Sequence, residues 1–212
     1  MRIDDLEQDL KVIRKAIELS SRYTNITARG YFFTGVVAAI GAWRTYLFLG
    51  REKIANMVLI TLADLKILTL IWSLVFVAAI AIVLFFSWWK ARKNQVSAWN
   101  SLSARMLFSQ IPLIFVAGIL TIAMGLKGYY PIIPGVWLSL YGVVLYSFSY
   151  YTGMSQKIEG WLFMGLGSVA LFVSGPVAIL LLGAGFGGIH IASGLVRWFV
   201  KGQKQDESER IK

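Results

Sequence analysis

Long apolar stretches alternate with short polar ones along most of the chain. Six apolar stretches approach the length that crosses the roughly 30 Å hydrocarbon core of a membrane at about 1.5 Å per helical residue. They occupy residues 31–49, 67–89, 106–126, 132–151, 157–174 and 177–200. Continuous apolar runs of this length are typical of helices, because a barrel strand alternates apolar and polar positions. We therefore predict an all-α, polytopic membrane protein with six transmembrane helices.

The residues before the first apolar stretch are polar and follow a helical period. Apolar side chains recur every third or fourth position, at Ile3, Leu6, Leu10, Ile13 and Ile17. This spacing predicts an amphipathic N-terminal helix over residues 3–22. Its apolar stripe can lie on the membrane surface, pack under the bundle or pair with a second copy, and we favour the bundle. The chain then divides into a cytoplasmic N-terminal helix (1–29), a transmembrane bundle (30–200) and a charged cytoplasmic tail (201–212).

Charge sets the expected orientation. The chain carries 21 lysines and arginines against 11 acids, and its formal net charge is +10. Six crossings put both termini on one side, and that side holds 16 of the 21 basic residues. The positive-inside rule therefore predicts that both termini are cytoplasmic, in a prokaryotic cytoplasmic (inner) membrane. The basic residues face anionic lipid head groups, so membrane lipids are expected partners and nucleic acid is not.

Composition removes several kinds of chemistry. Hydrophobic residues make up 57% of the chain and charged residues 15%, which excludes a water-soluble enzyme fold. The absence of cysteine excludes disulfides, thiolate metal sites and cysteine nucleophiles.

Glycine spacing in the last two stretches predicts close helix packing. The glycines that share a face are Gly160 and Gly167 on the fifth stretch, and Gly183, Gly187 and Gly194 on the sixth. Small residues let membrane helices approach each other closely. We expect these two stretches to form a tight hairpin in which one glycine seam packs against the other.

His190 is the single histidine, and it lies deep in the sixth stretch. Because burial disfavours a charged imidazole, we expect a neutral ring with one or two hydrogen bonds, and Ser168 at comparable depth is the expected partner. The same two residues are the minimum for an activated serine nucleophile. No carboxylate is placed to orient the ring and no G-x-S-x-G turn surrounds the serine, so catalysis is disfavoured. No metal site or cofactor is predicted, although His190 leaves ligation of a haem or pigment open.

Other polar residues in or beside the apolar stretches are few. Arg44 lies near the outer end of the first stretch, and Asp64 is the acid on the same side next to the second. A buried charge needs a partner or a route to the head groups, so we expect an Arg44–Asp64 contact, with Arg44 extending to the interface as the alternative. Gln110 and Pro112 in the third stretch indicate a kink or a polar lining.

Several segments resemble an uncharacterised family of bacterial six-span integral membrane proteins of unknown function. These segments are residues 13–27, 35–43, 134–142 with the pattern P-x-x-W-x-x-x-Y-G, and 185–190 with the sequence GFGGIH. The resemblance implies a six-helix bundle with a cytoplasmic lead-in, and it implies no catalytic residue.

Three classes of function remain. The first is a non-catalytic interaction or accessory subunit that acts through its bundle and N-terminal helix, in a homo-oligomer or a larger membrane complex. The second is a small channel or carrier for a hydrophobic or weakly polar solute, with His190 near the midplane. The third is a haem- or pigment-binding subunit that uses His190. We favour the first, because the polar positions that usually line a transport path are sparse.

Overall fold

The computed structural model describes residues 27–56, 59–93, 95, 101–173 and 175–210, without the side chains of residues 101–103, 105–107, 109 and 201–210. The amphipathic helix expected over residues 3–22 lies outside the described residues. Within them the chain is almost wholly helical, and they contain no strand. The all-helical architecture expected from the sequence is therefore confirmed.

Nine elements follow one another in the described part of the chain. They are α1 (Ala28–Ala55), α2 (Leu62–Lys93), α3 (Ser101–Leu126), a 3-10 turn (Tyr130–Ile132), α4 (Ile133–Thr152), α5 (Met154–Phe172), α6 (Pro176–Leu182), a π-helical segment (Gly183–Ile189) and, completing the same rod, α7 (His190–Arg210). We call α6, the π segment and α7 together the C-terminal helix.

Four helices are long and apolar enough to cross a membrane. They are Ala28–Ala55, Leu62–Lys93, Tyr130–Thr152 and Pro176–Val200. The apolar stretch of α3, Gln110–Leu126, is shorter, and α5 is not among the four. Four such helices are typical of a membrane protein. The expected number of six crossings stays a prediction.

Glycines in the left-handed region make the sharp turns around α5. Gly153, with a φ of 112°, is the one residue between α4 and α5. Gly175, with a φ of 67°, precedes Pro176, whose ring suits the first position of a helix. Such short connections fold α5 back against its neighbours.

The glycine seams pack differently from the expected hairpin. A Cβ added at Gly160 would lie 2.7 Å from the backbone nitrogen of Tyr146, and one at Gly167 would lie 2.5 Å from that of Ser139, so both face α4. The pair α4–α5 is the most extensive helix contact of the described chain.

The seam of the C-terminal helix faces α1 instead. Cβ atoms added at Gly187 and Gly194 would meet Ala39 and the backbone of Phe32, and one at Gly183 would meet Ala42. The expectation of one seam against the other is wrong, because α1 and α4 each offer a small-residue or backbone surface that a glycine can approach.

The bundle core lies between α4, α5 and the C-terminal helix. Leu138, Phe163 and Ala170 are fully buried there. A second buried cluster joins Leu49 and Ile54 at the end of α1 to Ile179 near the start of the C-terminal helix. This cluster shows that the last turns of α1 and the first turn of the C-terminal helix meet at the same end of the bundle.

Helix α2 lies at the periphery. Only Asp64, Ser87 and Ala91 of its 32 residues are buried. One link to α1 is a hydrogen bond that Trp72 Nε1 donates to Thr45 Oγ1 at 3.1 Å. Ten of its other residues are half-buried against the bundle, and the remaining apolar face points outward.

Candidate functional site

Buried polar side chains gather at one place where four helices meet. We call this group the polar cluster, and its members are Tyr31 of α1, Tyr141 of α4, Gln156 and Glu159 of α5, and His190 and Arg197 of α7. Gln156, Glu159 and His190 are each at least nine-tenths buried. Polar groups in an apolar interior need partners, so their contacts decide what the cluster can do.

His190 begins α7, directly after the π segment. Its Nε2 and the hydroxyl of Tyr141 form a hydrogen bond of 2.8 Å, in which the donor depends on the tautomer of the ring. Tyr31 stacks on the imidazole with ring centres 5.5 Å apart, and Phe163 meets it edge-on at 5.4 Å. The other nitrogen, Nδ1, has no hydrogen bond of good geometry, although the carbonyls of the π segment lie near it.

The π segment places the histidine. Its sequence, GAGFGGI, is rich in glycine, and π-helical turns within α-helices are frequent at functional sites. A π turn holds more residues than an α turn, so it changes the direction in which the following side chains point. Even so, the predicted shared face is kept across this segment, because Gly183, Gly187 and Gly194 all meet α1.

A buried ion pair forms the second half of the cluster. Nη2 of Arg197 donates to Oε1 of Glu159 at 2.5 Å, and the two side chains are 18% and 7% exposed. The same nitrogen reaches Ser155 Oγ at 3.2 Å. The guanidinium lies 3.9 Å from the ring centre of Tyr31. The ring of Tyr31 therefore lies between the guanidinium of Arg197 and the imidazole of His190 and contacts both.

Three polar atoms of this cluster make no hydrogen bond of good geometry with the described residues. They are Glu159 Oε2, His190 Nδ1 and Arg197 Nη1. Each buried group left unpaired costs about 1–3 kcal/mol. The three atoms are a carboxylate acceptor, a guanidinium donor and an imidazole nitrogen.

The expected partnership of Ser168 with His190 is wrong. The Ser168 hydroxyl donates to the carbonyl of Met164 in its own helix at 2.9 Å, on the exposed side of the helix. The histidine turns to α4 instead, where Tyr141 has a longer side chain with a hydroxyl at its end. A serine nucleophile activated by His190 has no geometric basis.

The expected contact of Arg44 with Asp64 is also wrong. Nζ of Lys53 lies 2.7 Å from both carboxylate oxygens of Asp64, and Thr61 donates to the same carboxylate through its backbone N–H and its hydroxyl. The reason is the kink of α1 at Gly50, which has a φ of 67°. The kink brings Lys53 over the start of α2, whereas Arg44 precedes it on an exposed face.

Gln110 is 6% exposed on α3, next to Pro112 inside the helix. It makes a polar or electrostatic contact. The helix continues through Pro112 to Leu126.

A haem or pigment finds little room at His190 in this arrangement. Nε2 is engaged by Tyr141, and aromatic rings pack around the imidazole. Axial ligation would require the ring to leave these contacts.

Glu159 and Arg197 were not singled out from the sequence, although one signal pointed to the first. Glu159 is the single acid between Asp64 and Asp206, and it stands inside an apolar stretch. An acid in that position needs a buried cation. The identity of that cation depends on which helices meet.

Comparisons with known protein families, characterised proteins and solved structures find no match to this chain.

Proposed function

We propose that the chain is an integral protein of a prokaryotic cytoplasmic membrane with six crossings and both termini on the cytoplasmic side. Helices α1 to α5 and the C-terminal helix supply the crossings. Helix α5 has 19 residues and spans about 28 Å at 1.5 Å per residue, close to the thickness of a hydrocarbon core. The distribution of lysine and arginine supports the orientation.

Within that membrane the protein acts as a non-catalytic interaction or accessory subunit. The observation that carries this proposal is the surface of α2, which buries three of its 32 residues. The other side of the bundle is held by close glycine contacts and the polar cluster. A peripheral apolar helix is a surface on which a second copy or another membrane protein packs. The N-terminal helix expected from the sequence is a second contact element in this proposal.

Site-directed photocrosslinking tests the proposal, and the chain suits it because it has no cysteine of its own. Val77→Cys on α2 and Leu162→Cys on α5 place a thiol-linked benzophenone on exposed sites near the middle of each helix. In native membranes we expect a protein crosslink from position 77 and lipid adducts alone from position 162. Equal crosslinking from both positions, or none from 77, would contradict the proposal.

A second function is favoured by the unpaired atoms of the polar cluster. A carrier or relay for a weakly polar solute needs polar groups inside the membrane that are free to bind it. This second proposal is supported by Glu159 Oε2, His190 Nδ1 and Arg197 Nη1, which make no hydrogen bond of good geometry with the described residues. Its test is solute flux in proteoliposomes. Flux that His190→Ala abolishes while the variant stays folded would favour this function over the first.

A further inference from the structure

Two arginines at one end of the bundle are held against indole rings. The guanidinium of Arg29, at the start of α1, lies 5.5 Å from the ring centre of Trp89 on α2 and 5.4 Å from that of Trp198 on α7. The guanidinium of Arg92 lies 5.4 Å from the ring centre of Trp88. Stacking occupies the faces of a guanidinium and leaves the N–H donors at its edge for an anion.

These two cations lack a carboxylate partner among the side chains that the structure describes. The two ion pairs found there engage the carboxylates of Asp64 and Glu159 with other basic residues. Arg29 and Arg92 are both exposed. Both guanidinium groups thus reach the surface of the described bundle without a carboxylate from it.

A groove of about 360 Å³ lies beside Arg92. Its lining residues, all on α2, are Phe85, Trp88, Trp89 and Arg92, and Arg29 of α1 approaches the groove by its contact with the Trp89 ring. Phe85 lies about 10 Å further into the apolar part of α2 than Arg92, at 1.5 Å per residue. The groove thus combines a cationic end with an aromatic wall that extends toward the middle of the helix. A free anion would use the cationic end alone, whereas a phospholipid matches both parts.

We propose that this groove binds one anionic phospholipid, with the phosphate held by Arg29 and Arg92 and the first part of an acyl chain against Phe85. Guanidinium groups bind phosphate through paired N–H···O hydrogen bonds, and basic sites between membrane helices bind lipid head groups. The assignment depends on the proposed placement of this end of the bundle at the cytoplasmic membrane surface. Beyond that placement, the proposal names the class of lipid that binds and the residues that bind it.

Brominated lipids test the site, because bromine quenches indole fluorescence on contact and Trp88 and Trp89 line the groove. The full-length protein is placed in nanodiscs of phosphatidylcholine that contain a small, fixed fraction of brominated phosphatidylglycerol or brominated phosphatidylcholine. We expect the anionic lipid to bind preferentially, by about fivefold for each contributing arginine. Equal quenching by the two lipids would overturn the proposal.

Three variants separate the site from general charge. Arg29→Gln with Arg92→Gln should remove the preference, whereas Arg44→Gln, an exposed arginine of α1 far from the groove, should keep it. Arg29→Lys with Arg92→Lys retains the charge without the planar fork and should lose most of the preference. Full retention in the lysine variant, or an equal loss in Arg44→Gln, would show unspecific attraction and overturn the proposal.

Two further outcomes of the nanodisc experiment would contradict the proposal for other reasons. Loss of the preference in inorganic phosphate, and not in chloride of equal ionic strength, would show a site for a free anion and overturn the lipid assignment. Failure of the protein to enter nanodiscs would refute the membrane placement itself. The crosslinking result at position 77 is independent of both.

Discussion

The α4–α5 contact leads to a sharp prediction about one glycine. Replacing Gly160 by alanine would place a Cβ 2.7 Å from the Tyr146 nitrogen and 2.8 Å from the Gly142 carbonyl oxygen. Both atoms belong to the backbone of α4, so neither can move aside alone. Gly165 lies about one and a half turns further along α5, and a Cβ added there would have no neighbouring atom within 4 Å. Gly165→Ala is therefore the matched control.

The size of the effect follows from the overlap. Ordinary van der Waals contact begins at 3.4 Å, so α4 and α5 must separate by about 0.7 Å, and such a gap forfeits roughly a quarter to a half of each dispersion contact. Overpacking of this kind costs about 1–3 kcal/mol. Both substitutions gain the same helix propensity, because each replaces glycine by alanine. This contribution cancels when the stabilities of the two variants are compared. We expect Gly160→Ala to be about 2 kcal/mol less stable than Gly165→Ala.

Unfolding by SDS in mixed micelles, followed by circular dichroism, measures this difference. A difference of about 2 kcal/mol corresponds to roughly a thirtyfold change in the folded-to-unfolded ratio. Gly160→Ala as stable as Gly165→Ala would refute the close approach of α4 and α5.

Three further predictions concern the polar contacts. Tyr141→Phe should lower the free energy of unfolding by about 1–2 kcal/mol, because it leaves His190 Nε2 unpaired. The same substitution should shift the ¹⁵N signal of this single histidine, and an unchanged signal would contradict the hydrogen bond. Glu159→Gln and Arg197→Gln should each cost about 3–5 kcal/mol by leaving a buried charge alone, and the double variant should cost less than their sum in the same unfolding assay; strict additivity contradicts the ion pair. Lys53→Gln at the partly exposed pair should cost less than about 1 kcal/mol, and a larger loss of stability would contradict its exposure.

Stacking links the two halves of the polar cluster. Tyr31 contacts both the imidazole of His190 and the guanidinium of Arg197. A displacement of the Arg197 side chain would therefore move the Tyr31 ring, which packs directly on the imidazole of His190.

The continuous apolar stretches were sufficient to predict the helical class and most helix positions. Apolar stretches of about membrane length leave few alternatives, because backbone groups in lipid must be hydrogen-bonded within their own segment. The predicted stretch 132–151 and the observed α4, Ile133–Thr152, differ by one residue at each end. Local chemistry, such as Pro134 at the first turn of α4 and Gly153 after its last, determines these limits.

Partner choice could not be read from the chain. The sequence identified the glycines, His190 and Asp64 as residues that need a close neighbour. It did not identify Ser139, Tyr141 or Lys53 as those neighbours. Spacing along a helix reports which residues share a face, but it carries no information on which helix that face meets.

By itself, the sequence determined that this chain forms apolar helices with one buried histidine and glycines for close approach, because those properties depend on local composition and period. The tertiary structure alone decided that α5 packs on α4, that the C-terminal helix packs on α1, and that Glu159 meets Arg197. The kink at Gly50 and the π segment before His190 change the direction of the residues that follow them. Such local departures from a regular helix redirect whole side chains, and only the assembled bundle shows where they point.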